Sequence, residues 1–179
     1  AEIEPFRGLL LGLFFMSMGM ALDVKPDEVI LIPEHPEEAT PSGGLDLILD
    51  RAEINDTIAT IRDSGIPVFL LIDPDPDHIK IAHRLNVDGV QIHTAAYAGD
   101  ALPSTRKRLL ARLVDAAKIA VKLKLRVAAG AGLGYTTARA VGQLSEVETC
   151  IIGHSIMARA LMVGIETAVR EMIILLEGQ

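Results

Sequence analysis

The sequence predicts an α/β domain assembled from consecutive β/α units. Three observations carry this. From Glu28 onward, short continuous apolar runs alternate with longer stretches of helical periodicity. Gly and Pro punctuate the joins, as at Gly65 and Pro67. The residues able to do chemistry fall just after the runs, where both open α/β sheets and (β/α) barrels bind ligands.

Each element follows from its own pattern. Glu28 to Pro33 is the first run, then Val68 to Ile72, Gly89 to His93, Arg126 to Ala129 and Glu148 to Ile152. Continuous runs of this kind suit strands covered on both faces, as in parallel sheet. Between them, Leu45 to Ser64 carries Ile48, Ile54, Ile58 and Ile61 and ends at Gly65, a helix with a stop signal. Asp77 to Leu85 is a shorter helix. Ser104 is an expected N-cap for a helix that places Leu109, Leu113, Ala117, Ala120 and Val121 on one face. Tyr135 to Leu144 and Ser155 to Leu176 complete the set. The alternation fits an open doubly wound sheet and a barrel equally.

Composition narrows the function classes. Half of the 179 residues are hydrophobic in type, enough for a real core. The formal charge of −7 argues against nucleic acid, whose partners present a basic face. Arg106, Lys107 and Arg108 read as a solvated helix face. The single cysteine, Cys150, excludes an internal disulfide and reads as a buried strand residue, in keeping with a reducing cytoplasm.

The first residues stand apart. Gly8 to Leu22 is nearly all apolar, and as a helix it would rise about 22 Å. That is short of a hydrocarbon core of roughly 30 Å. Glu2 and Glu4 precede it, so it lacks the basic start of a secretory signal. Residues 1–24 are therefore set apart as an apolar N-terminal helix, with residues 8–22 a candidate membrane contact, and 25–179 form the α/β domain.

Two glycine-rich turns are the main candidate site. Gly130-Ala131-Gly132-Leu133-Gly134 follows the fourth run; Gly153-His154-Ser155 follows the fifth and opens the last helix. Glycine lets backbone N–H groups approach an anion, and a helix N-terminus adds unpaired donors and a favourable dipole. A phosphate cradle and a pair of ordinary tight turns both account for the pattern. His93, with Thr94 and Tyr97, ends a strand, either to bind substrate or exchange a proton, or as a satisfied core histidine. Asp73-Pro74-Asp75-Pro76-Asp77 reads as a stiff turn whose last Asp caps the next helix. No Cys/His metal spacing and no P-loop lysine occurs, and no cofactor is implied.

These same residues resemble the pyridoxine 5′-phosphate synthase family. Leu31-Ile32-Pro33-Glu34, Thr40 and Gly43-Gly44-Leu45-Asp46 resemble its run from strand four into helix four. Phe69 to Asp75 resembles strand five, and Ile92-His93-Thr94 with Tyr97-Ala98 strand six. Ala129-Gly130, Gly132-Leu133 and Tyr135 resemble strand seven and its loop. Ile152-Gly153-His154-Ser155-Ile156 with Ala158-Arg159-Ala160 resembles strand eight and its helix. The resemblance runs in order over residues 26–179. It implies an incomplete (β/α) barrel of the TIM type, strands four to eight, from a cytoplasmic, oligomeric enzyme. The reaction it implies condenses 1-deoxy-D-xylulose 5-phosphate with 3-amino-2-oxopropyl phosphate. Thr40 would then contact the first substrate, and Gly132, Gly153 and His154 would hold the phosphate of the second. Departures accompany the likeness. Ala131 stands where the family has a proton-donating histidine, Gln91 where it has a glutamate, and Ala128 where it has an asparagine. Residues 4–23 separately resemble a membrane segment of cation:proton antiporters of the glutathione-gated potassium-efflux type.

Overall fold

The computed structural model describes residues 26–33, 41–48, 51–99 and 102–178. The apolar segment 8–22 and Thr40 lie outside the described residues. Among the described residues, no helix is long and apolar enough to cross a membrane.

Five strands form one parallel sheet in the order β1-β2-β3-β4-β5: Val29–Leu31, Val68–Ile72, Gly89–His93, Arg126–Gly130 and Thr149–Ile151. The chain never reverses its direction of travel across the sheet, so the doubly wound alternative is excluded. Helices α1 (Arg51–Asp63), α2 (Pro76–Arg84), α3 (Ala95–Ala98), α4 (Pro103–Lys122), α5 (Ala138–Gly142), α6 (His154–Val163) and α7 (Ile165–Glu177) complete the domain.

Strand alternation divides the sheet into two faces. Val68, Leu70, Ile72, Val90, Ile92, Val127 and Ala129 join one core with Ile58 of α1, Ile79 of α2, Leu113 and Ala117 of α4, Val141 of α5 and Met172 of α7. The intervening Phe69, Leu71, Gln91, His93 and Ala128 are also buried, yet none belongs to that core. They form the opposite, inner face. The central strands β2 and β3 are buried at every position, including the polar Gln91 and His93 of β3.

The sheet curls around this inner face. Arg126, at the start of β4, reaches Glu28, just before β1, with Nη1 and Oε2 3.2 Å apart. Three strand spacings separate these strands, roughly 14 Å in a flat sheet. Fully extended side chains and their 3.2 Å contact would only just cover that span across a flat sheet, and a sheet bent toward its inner face brings them within easy reach. The guanidinium carbon also lies 5.1 Å from the centroid of the Phe69 ring. That ring lies across Gly89, where a Cβ would collide with it. The fold is thus a curled parallel half-barrel with its helices outside.

Several boundaries differ from the sequence expectation. The first helix begins at Arg51, not Leu45, because the Leu45 N–H donates to the Leu71 carbonyl at 2.8 Å and holds that segment against the sheet. Helix α2 is capped by Asp75, whose carboxylate accepts from the Asp77 N–H; Pro76 takes the first helical position. Asp77 instead pairs with Lys80 at 2.8 Å. Ser104 is not a cap, since Pro103 begins α4 and Leu102 precedes it. The helix predicted over Tyr135 to Leu144 shrinks to α5. The long final helix is two, broken at Gly164, whose φ of 83° and ψ of 152° leave the helical region. Cys150 lies in β5 but is only partly buried.

Candidate phosphate-binding site

The loops after β1, β2, β3, β4 and β5 gather at the carboxyl end of the sheet, and backbone pairing brings them together. Pro41 to Leu45 is held against the ends of β2 and β3. The Gly44 N–H donates to Asp73 Oδ1 at 3.2 Å. A Cβ on Gly44 would run into the backbone of Ile72 and Asp73, so only glycine permits this approach. His93 is 4% exposed. Its Nε2 donates to the Pro41 carbonyl at 3.1 Å, and its Nδ1 lies 3.6 Å from Asp73 Oδ1. Both ring nitrogens therefore face protein acceptors. Asp73, which sequence reasoning placed in a stiff turn, is the hub of this corner. No sequence signal announced that, because its partners lie 29 and 20 residues away.

The fourth loop is held from β3. Thr94 is fully buried. Its N–H donates to the Gly130 carbonyl at 2.9 Å, and its hydroxyl lies 2.8 Å from that oxygen and 2.6 Å from the Ala131 carbonyl. Ala131 has a φ of 72°, in the left-handed region that favours glycine. Gly132 follows at 81° and is exposed. Farther along, Thr137 caps the turn by accepting from the Gly134 N–H at 3.0 Å, and the Tyr97 hydroxyl donates to the Thr137 carbonyl at 3.1 Å.

The two glycine turns are neighbours. Ser155 Oγ donates to the Leu133 carbonyl at 2.6 Å, and a Cβ on Gly134 would stand 3.7 Å from that same Oγ. Gly153 precedes α6 and His154 is its first residue; both are exposed, and the space beside Gly153 is open. The first N–H groups of α6 have no intrahelical partner by their position. Gly132, Gly153 and His154 thus share one end of the sheet with His93. Gln91 lies inside the half-barrel below them, its amide nitrogen against Gly130. Among the described residues, no group of three His, Cys, Asp or Glu side chains is arranged to hold a metal ion.

The comparison with known proteins places the sequence in a family. The model of the pyridoxal phosphate biosynthesis protein PdxJ matches residues 15–178. The chain belongs to this family. Its setting is therefore vitamin B6 synthesis. The pyridoxine 5′-phosphate synthase of Desulforapulum autotrophicum is 46% identical over 161 residues, which cover 90% of this chain and 67% of that one. Those of Syntrophobacter fumaroxidans and Pelobacter propionicus are each 42% identical, covering 89% and 88% of this chain and 67% and 66% of theirs. The chain thus spans about two thirds of the length of these PdxJ relatives. The family match begins at residue 15, inside the apolar run 8–22, and the resemblance of residues 4–23 to an antiporter segment finds no support. A solved structure, the Amycolatopsis orientalis BexX/CysO complex, gives a TM-score of 0.49 at 14% identity, covering 92% of this chain and 62% of that one. That likeness is too slight to bear on the fold.

Proposed function

We propose that this chain supplies the phosphate-holding part of a pyridoxine 5′-phosphate synthase site and, alone, does not close the pyridoxine ring. The observation that carries the reading is the adjacency of the two glycine turns, joined by the Ser155–Leu133 hydrogen bond. Backbone N–H groups of Gly132, Gly153 and His154, with the start of α6, would hold the phosphate of 3-amino-2-oxopropyl phosphate. Thr40, joined directly to the anchored Pro41, would meet 1-deoxy-D-xylulose 5-phosphate. By the family resemblance, the five strands correspond to strands four to eight of a TIM-type barrel, and the protein is cytoplasmic.

Proton transfer is what this chain lacks. Ala131 presents a methyl group where the resemblance expects histidine. Gln91 presents an amide, which cannot carry the charge of a carboxylate. Each missing acid–base group costs about 10²–10⁴ in rate. Self-association fits the exposed Met157, Leu161, Met162, Ile165 and Ile173 of α6 and α7.

Titration calorimetry with inorganic phosphate tests the binding reading. Saturable heat that is competed by pyridoxine 5′-phosphate is expected. Absence of heat at millimolar phosphate would end it. Incubation with both substrates is expected to yield no pyridoxine 5′-phosphate, and its formation would overturn the statement on catalysis.

A further inference from the structure

We propose that the dipeptide His93–Thr94 is a positioning device that fixes the loops after β1 and β4 as one rigid floor, with Thr94 holding the phosphate turn in its strained form. For its ligand the inference rests on the phosphate reading above; its geometry does not.

The two residues sit where β3 ends and their side chains reach different loops. His93 Nε2 grips the Pro41 carbonyl at 3.1 Å on one side. The Thr94 hydroxyl grips the Gly130 and Ala131 carbonyls at 2.8 and 2.6 Å on the other. A hydroxyl has one proton, so it donates to one of these two carbonyls at a time. The Thr94 N–H supplies another donor to Gly130. These donors act at Ala131, a residue with a Cβ held at positive φ. An alanine at φ 72° persists only where its surroundings over-determine it. Thr94 is the group that contacts carbonyls on both sides of that strained peptide. Release of its hydroxyl lets Ala131 relax, and relaxation swings the Gly132 N–H next in the chain. The turn then presents its N–H groups in many directions rather than one.

The Thr94 side chain is itself fully buried, and it acts through the part-buried turn that it holds. Conservative substitutions separate this role from simple packing. Thr94→Val keeps the shape and removes the hydroxyl; Thr94→Ser keeps the hydroxyl. Calorimetry on the full chain should show inorganic phosphate bound about tenfold more weakly by Thr94→Val, the scale of one lost hydrogen bond. Thr94→Ser should bind as the parent does. Adding Ala131→Gly to Thr94→Ser should change little, and adding it to Thr94→Val should recover most of the loss, because glycine adopts the turn without being held. Amide hydrogen exchange over 130–134 provides a ligand-free measure: Thr94→Val should exchange about tenfold faster there and unchanged in β2. Parental affinity in Thr94→Val, or a Thr94→Ser variant as weak as Thr94→Val, overturns the proposal. If the parent gives no phosphate heat, the phosphate reading fails, and the exchange rates alone decide whether Thr94 holds the turn.

Discussion

At the scale of single residues, local chemistry and local conformation oppose each other at Ala131. Its left-handed backbone costs roughly 1–2 kcal/mol for a residue with a Cβ. Glycine there would remove the strain but add unfolded-state entropy of about 0.5–1 kcal/mol. Ala131→Gly in the parent is therefore expected to raise stability by up to about 1 kcal/mol, read as a higher urea midpoint. A lower midpoint would show that the turn is not strained. Cys150 makes a second case. Partial burial pushes its thiol up, so the reactive thiolate is scarce near neutrality. Labelling by a thiol reagent at pH 8 is expected to be much slower in the folded protein than in denaturant.

At the scale of elements, the junction between α6 and α7 is the most exacting. Gly164 has φ 83° and ψ 152°, a combination open essentially to glycine alone. Space is not the constraint, since nothing lies near an added Cβ. Gly164→Ala is expected to cost about 1–3 kcal/mol from backbone strain alone, measured by denaturant titration. Arg159 and Glu171 tie the same two helices with bonds of 2.8 and 3.0 Å. The arginine's hydrogen bond and charge hold the Glu171 carboxyl below its ordinary value of 4.5. A lowered folded-state pKa contributes stability above the unfolded value that is lost as pH falls through the folded one. Below about pH 4.5 this contribution fades, and in Glu171→Gln it should already be missing. The parent and variant urea midpoints are expected to converge as pH drops below that value.

The same scale shows what was legible in the sequence. β2 was readable to the residue because both faces of a central parallel strand favour apolar side chains; β3 was bounded by Gly89 and His93, with Val90 and Ile92 facing the core. Helix ends were not. Ser104 looked like a cap, but Pro103 can open a helix without one. Gly164 sat inside an apolar run that looked continuous. Leu45 to Ile48 had helical spacing, yet the Leu71 carbonyl competed successfully for the Leu45 N–H. Of the candidate site, the glycine turns were visible as composition. Asp73 and Thr94 were visible as residues that follow strands, but their partners were not, since hydrogen bonds to distant backbone leave no local pattern.

At the scale of the whole molecule, curvature is held at the bottom of the sheet and used at the top. Arg126 bridges Glu148 at 2.9 Å and Glu28 at 3.2 Å while lying over Phe69. Exposed ion pairs contribute about 0–1 kcal/mol and a cation over an aromatic ring about 0.5–1 kcal/mol. Arg126→Ala is thus expected to destabilise by about 1–2 kcal/mol, with about 0.5–1 kcal/mol persisting in high salt from the contact over Phe69. Loss that vanished in salt would mean the ion pairs alone matter. By itself, the sequence determined the β/α alternation, the parallel character of the sheet and the membership of the PdxJ family. All of these are encoded in local periodicity and in short motifs. Only the tertiary structure decided that the sheet curls, that Ser155 joins the two glycine turns, and that His93 and Thr94 fasten separate loops. Each of those depends on groups far apart in the chain, which meet only after burial of the core has fixed where the strands end.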